Sequence, residues 1–360
     1  MFGMQMGRMG QTGQVGGFSW TRLIASMYQN GEQGAWYDPS DMSTLFQDSA
    51  GTVPVTAVEQ PVGRMLDKSG RGNHASQATT TKRPTYSRRV NVLVGSTTLA
   101  TQSITTRAAG YKIVFSGTGS VTLSGTATGV YGAGTNSITC TAGTLTLTVS
   151  GAVQDASFHL AIDLYLPYQG VNTDTDYDAD PNKFPAYLRF DGVDDALQTG
   201  NINFTGTAKM TVWAGVTKLS DAVAGIVCEL SSSISLSNGA FTLLAPVSGA
   251  TYGFYSKGTV LVQAISGTGR GAPHSSVITG IGDISGDRAT LRELSVQTVQ
   301  MTANQGTGNY GNYTLYVGAR AGTSLYFNGR LYGLIVRGAQ SSLLQIEATE
   351  LYMKKKVGIA

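Results

Sequence analysis

Residues 187–199 read YLRFDGVDDALQT, and this stretch decides the fold. A short run of β-formers ends on Asp191-Gly192, the dipeptide that supplies the positive φ of a tight turn. Asp194 and Asp195 stand where their carboxylates accept backbone N–H bonds of that turn, so both read as turn-makers rather than catalysts. The pattern of short strand and Gly-bearing turn repeats through the C-terminal half: HLAIDLYL (159–166), KMTVWAGVTK (209–218), GIVCEL (225–230), FTLLAPV (241–247), YGFYSK (252–257), TVLVQAIS (259–266), SVITGIG (276–282), TLRELSVQT (290–298), YTLYVGAR (313–320) and LYGLIVRG (331–338). Asn238-Gly239 and Asn328-Gly329 are its clearest further turn signals. Strands spaced about ten residues apart, with no helices between them, specify an all-β sandwich or jelly roll.

Composition agrees. The 360 residues include 47 Gly, and Ser plus Thr make 75. Charged residues are only 13%, about half of the usual share of roughly 25%, which excludes helical bundles and coiled coils. An apolar share of 41% with a formal charge of +3 excludes a disordered chain. That charge is also too small to imply a nucleic-acid partner, and Lys82-Arg83, Arg88-Arg89 and Lys354-Lys355-Lys356 read as solvated surface. No apolar run is long enough for a membrane span. Cys140 and Cys228 read as two buried free thiols.

Between Val90 and Val153 there is no acidic residue, and alternation is clear in YKIVFSG, SVTLSG, NSITCTAG and TLTLTVSG. This predicts hairpins with Thr on the wet face, enough for a small β-sandwich module. Residues 1–18 are rich in Gly, Gln and Met, with no continuous apolar stretch of the kind a signal peptide needs. Ser19–Asn30 reads as a short helix capped by Ser19 or Thr21, with Leu23, Ile24 and Met27 on one face. SSLLQIEATELYMKKK (341–356) reads as a terminal helix with Leu343, Ile346 and Leu351 at helical spacing and lysines at its C-terminal end.

Three stretches carry a resemblance: LDKSGRGNHASQATTTKRP (66–84), YLRFDGVDDALQT (187–199) and LYFNGRLYGLIVR (325–337). In this order they resemble the laminin-G-like, concanavalin A-like lectin domain, and with WYDPSD (36–41) ahead of them they look like copies found in structural proteins of tailed-bacteriophage virions. The resemblance implies a jelly-roll sandwich that opens on the first motif and closes on the third before a short helix. It also implies an insertion, because the first two motifs are normally close in sequence. The expected organisation is an N-terminal anchor segment with a short helix (1–30), a laminin-G-like sandwich (31–89 and 158–360) and an inserted Thr/Gly-rich β module (90–157).

The resemblance implies a non-enzymatic virion protein of fibre, collar or decoration type. It would assemble in the host cytoplasm, project from capsid, neck or tail as a homo-oligomer, in the manner of a trimer, and adhere to surface glycans. A dedicated receptor-binding lectin and a polysaccharide depolymerase are the alternatives. In the anchor, Met1, Phe2, Met4, Met6 and Met9 are the side chains suited to an irregular apolar partner surface. Against catalysis, Glu occurs only at 32, 59, 229, 293, 347 and 350, and the one close pair lies in the terminal helix; a glycosidase needs two carboxylates flanking the bond. His74, His159 and His274 are isolated in sequence. Asp174, Asp176, Asp178 and Asp180 alternate in DTDYDAD and are the candidate calcium ligands, although Ala179 and Pro185 stand where an EF-hand has its Gly and bidentate Glu. No carbohydrate-binding residue is singled out: Tyr252, Tyr255, Tyr310, Tyr313 and Tyr316 are the aromatic candidates, while Trp36 and Trp213 read as core.

Overall fold

The computed structural model describes residues 19–88, 91–93, 97–106, 108–161 and 185–359. It is an all-β sandwich closed by a C-terminal helix. An eight-stranded sheet runs in the order Val296–Met301, Arg288–Glu293, His274–Asp283, Lys209–Lys218, Asn328–Arg337, Tyr187–Asp191 and Thr85–Ser87, with Gly34–Tyr37 also paired to Asn328–Arg337. A nine-stranded sheet runs Leu261–Ile265, Gly253–Lys257, Ala240–Leu244, Ile226–Leu230, Asn312–Val317, Leu197–Asn203, Ala75–Ser76, Arg64–Met65 and Leu45–Phe46. The inner faces interdigitate in one apolar core that includes Phe190, Val212, Leu243, Phe254, Leu315 and Leu334. The sheets approach closely at Gly280, where an added Cβ would lie 2.1 Å from the Phe254 ring.

The stretch 187–199 is the corner between the two sheets. Tyr187–Asp191 pairs with Asn328–Arg337 in one sheet, and Leu197–Asn203 pairs with Asn312–Val317 in the other. Gly192 turns the corner at φ 77°, and a Cβ there would sit 2.6 Å from that of Asn328. Glycine is therefore required both by backbone conformation and by space. The three family-like motifs meet here, since Ser76 of the first pairs with Gln198 of the second, and Leu188 of the second with Leu331 of the third.

The central strands of the eight-stranded sheet are buried on both faces, which is why Lys209–Lys218 and Asn328–Arg337 read as continuous apolar runs rather than alternations. Helices α1 (Trp20–Ser26) and α2 (Leu343–Val357) cover its outer face through Ile24, Met27, Ile346 and Met353, packed on Trp36 and Trp213. Ser19 caps α1 as expected, but the helix stops at Ser26 and gives way to turns through Asn30. Ser342 caps α2 in a reciprocal box with Gln345. Its buried face differs from the expected one: Leu343 and Leu351 are exposed, and Thr349, Glu350, Tyr352, Met353 and Val357 are buried with Ile346. Polar anchors override the apolar pattern. Glu350 forms a buried two-point pair with Arg292, at 2.8 and 3.0 Å. Arg337 donates to Met27 O, Ser341 Oγ and Glu32 Oε1, tying both helices to the sheet.

The first motif also acts as a fastener. Asp67 is buried, and its carboxylate accepts from the backbone N–H of Trp36, Ser69 and Asn73 and from Ser69 Oγ. His74 Nδ1 accepts from Asp67 N, and Asn73 Nδ2 donates to Gly34 O. The residues that make this segment recognisable thus hold strand Gly34–Tyr37 in place.

A second pair of sheets lies within residues 102–160. One runs Gly134–Cys140, Ala109–Ser116, Gln154–Leu160; the other runs Gln102–Thr106, Gly143–Ser150, Ser120–Gly125, Gly129–Tyr131. Their core is separate from the larger one and holds Ile113, Phe115, Leu123, Leu145 and Phe158, joined by Leu219 from the larger sandwich. Phe158–Leu160 pair with Tyr111–Ile113, so these residues belong with the smaller sheets and not with the larger sandwich, where composition had placed position 158 onward. Cys140 and Cys228 are both buried and free, in different cores.

Candidate functional site

The face of the nine-stranded sheet that points away from the core carries the candidate site. Along Ile226–Leu230, Val227, Cys228 and Leu230 pack inward, so Glu229 points outward. Register then lines up one residue from each of seven further strands beside it. On one side Glu229 faces Thr242, which faces Tyr255, which faces Gln263. On the other it faces Tyr316, followed by Gln198, Ser76 and Arg64. Directly opposed residues on one sheet face have neighbouring side chains, so this is a continuous row. Tyr255 and Tyr316 are half-buried, Gln198 and Gln263 exposed. Three interstrand steps separate the two tyrosines, about 14 Å at the usual spacing.

Glu229 is the polar floor of the row. Its carboxylate is fully buried, accepts from Ile234 N at 2.7 Å and pairs with Arg320 Nε at 3.0 Å. Burial lifts its pKa above the usual carboxylate range, against the hydrogen bond and charge of Arg320. Burial likewise raises Tyr255, and the positive charge of Arg320 acts against it. Arg320 lies in the loop after Asn312–Val317, closed by its own N–H to Ser324 O. Among the described residues, its Nη1 and Nη2 donate to no protein atom.

The acidic corner is the second polar feature. Asp191 Oδ1 accepts from Val193, Asp194 and Asp195 N, and Asp195 Oδ2 accepts from Asp191 N. Carboxyl oxygens of Asp191, Asp194 and Asp195 lie within 4.8 Å of one another. Burial, then the charge of Asp191, pushes Asp195 up to about 7. Asp195 thus accepts a backbone N–H of the turn as expected, but Asp194 does not: among the described residues its carboxylate takes no backbone bond, because Asp191 Oδ1 already holds the three N–H groups that follow it.

Of the other sequence candidates, Tyr252 and Tyr310 are buried, with Tyr252 Oη bonded to His274 Nδ1 and Tyr310 Oη to Ser256 Oγ. Tyr313 packs against the core and donates to Asn238 O, leaving Tyr316 on the outer face. Trp36 and Trp213 are buried as expected. Asp174, Asp176, Asp178 and Asp180, and Met1, Phe2, Met4, Met6 and Met9, lie outside the described residues. Sequence reading missed the pairing of Glu229 and Arg320, which are 91 positions apart and are brought together by the pairing of Ile226–Leu230 with Asn312–Val317 and by the loop that follows it.

No family model and no curated protein matches the sequence. Among solved structures the chain is similar to the Ruminococcus gnavus IT-sialidase CBM40 bound to α2,3 sialyllactose, at 13% identity over 40% of this chain and 83% of that one, with a TM-score of 0.33. It is similar to the botulinum neurotoxin serotype D binding domain at 8% identity, over 46% and 42% of the two chains, with a TM-score of 0.37. It is also similar to the Trypanosoma rangeli sialidase in complex with the inhibitor DANA, at 10% identity over 47% and 28%, with a TM-score of 0.36. At these values the likenesses carry no argument about function, which rests on the face itself.

Proposed function

We propose that the protein is a non-enzymatic structural component of a tailed-bacteriophage virion, whose larger sandwich adheres to surface glycans through the outer face of its nine-stranded sheet. The observation that carries the adhesive reading is the row centred on Glu229, with Tyr255 and Tyr316 flanking it. Tyrosine rings offer apolar faces for sugars and phenol groups for their hydroxyls. The same row supports a binding role over hydrolysis: Glu229 is its one carboxylate, and Arg320 holds it as a counter-ion, whereas glycoside hydrolysis needs two carboxylates across the bond. The virion assignment is supported by the three motifs, in family order, meeting at one corner of the sandwich. In this reading residues 1–18 attach to capsid, neck or tail, the chain is a homo-oligomer, and residues 90–157 are a guest module.

Two measurements test the proposal. Immunogold labelling should place the protein on particles, and deletion of residues 1–18 should abolish incorporation; particles that retain the truncated chain contradict the anchor. On a glycan array, Tyr255→Ala and Tyr316→Ala should each lose binding while keeping the wild-type circular dichroism. A blank array for the folded wild-type protein removes the adhesive role, and release of reducing ends from host capsule would establish a depolymerase instead.

A further inference from the structure

Arg320 is held in a way that leaves its business end open. A fully buried carboxylate takes its Nε, and the side chain itself is 24% exposed. The two Nη groups point to no protein acceptor among the described residues. A guanidinium fixed through Nε presents its remaining N–H donors as a planar fork, the geometry that matches a carboxylate at two points. The carboxylate that holds it, Glu229, has Tyr316 opposite it on one side and Tyr255 two strands away on the other.

Within all nine strands the charged residues are Arg64, Glu229 and Lys257, and the loop adds Arg320. Lys257 shares the outward parity of Tyr255. Lys257 is buried with its Nζ on Ser235 O, and Arg64 lies four interstrand steps from Glu229 with its Nη1 on Ser49 O and Ala50 O, so Arg320 is the cation at the centre of the row.

We infer that this face recognises an acidic saccharide, with the sugar carboxylate seated on the Arg320 fork and the ring against Tyr316 or Tyr255. This rests on the adhesive reading above and narrows its ligand class. Glu229 is then a positioning residue: it fixes the direction of the fork and touches no ligand. An anion at Arg320 gains a charge-assisted two-point contact, whereas a neutral hydroxyl in the same place leaves one guanidinium edge unmatched.

The test is an array of bacterial surface polysaccharides, each printed in its native form and after reduction of its carboxyl groups to alcohols. Binding is expected on uronate-bearing polymers, falling on the order of tenfold or more on reduction and weakening with added NaCl. Arg320→Lys, which keeps the charge and can keep the pair with Glu229, should lose most of this preference because an ammonium has no fork. The double variant Glu229→Gln/Arg320→Gln, neutral at both positions, guards against loss by misfolding and should bind native and reduced polymers alike. Equal binding of native and reduced polymers by the wild type, abolished by Tyr316→Ala, would overturn the acidic ligand and leave the adhesive reading standing. No binding to any polymer by the folded protein would overturn both.

Discussion

Burial pushes two aspartates up, but their partners leave them shifted in opposite directions, and their pH behaviour separates them. Burial pushes the Asp38 carboxyl up, but the charges of Lys356 and Lys68 and the hydrogen bonds of Ser40 and Lys356 outweigh it and hold it at about 2. A carboxylate with a depressed folded pKa contributes stability that is present above its unfolded value of 3.8 and is lost as pH falls toward 2. Asp38→Asn should therefore lower the melting temperature at pH 7, and the gap to wild type should close as the pH drops from about 4 to about 2. Asp195 is the converse. Burial and Asp191 raise it to about 7, so between the unfolded value of 3.8 and 7 the native state holds a proton that the unfolded chain has released. Stability from this group falls as pH rises through that window. Asp195→Asn should leave the melting temperature near wild type at pH 4 and raise it at pH 8. A variant less stable at every pH would show that the charged oxygen accepting from Asp191 N outweighs the burial penalty.

Helix α2 shows what a periodicity argument captures at the scale of one element and what it omits. Its existence and its lysine-rich end were legible, because propensity and charge placement are local. Its buried face was not, because Glu350 is drawn in by Arg292, a residue 58 positions earlier. Breaking that pair should be costly: Glu350→Ala leaves a largely buried guanidinium uncompensated and is expected to cost about 3–5 kcal/mol, read by denaturant unfolding. The double change Arg292→Met/Glu350→Leu removes both charges and should recover most of that loss. Ser342→Ala, which deletes the cap without touching the pair, should cost only about 1 kcal/mol. Strands follow the same division. Ser120–Gly125 and Gly143–Ser150 were legible from alternation. Leu45–Phe46, Arg64–Met65 and Ala75–Ser76 are two residues each, too short to show a period, and the sheet alone defines them. The candidate site was hidden for a related reason. Tyr255 and Tyr316 were on the page as aromatics, but the row exists only once register brings Glu229 between their strands, and no spacing in the sequence encodes register.

At the scale of the molecule, the chain leaves and re-enters the larger sandwich at adjacent points. Thr85–Ser87 is followed by the segment that builds the smaller sheets, and the next described strand, Tyr187–Asp191, pairs back with it, Ser87 opposite Tyr187. Everything between can therefore be removed without moving either end far, and loop-closure entropy grows only slowly with length, so a short linker serves as well as a long insertion. The two cores are also separate apart from Leu219, which is buried among the smaller core's residues. Replacing residues 91–184 by a short Gly/Ser linker should leave a chain that still unfolds cooperatively, with a smaller denaturant slope in proportion to the surface removed. Among the described residues the apolar side chain of the larger sandwich that this uncovers is Leu219, whose exposure is cured by Leu219→Ser in the shortened chain. If the glycan face acts alone, the shortened protein should bind the array as the full chain does. Loss of cooperative unfolding in the shortened Leu219→Ser chain would show instead that the smaller sheets are a structural part of the host sandwich and not a guest within it.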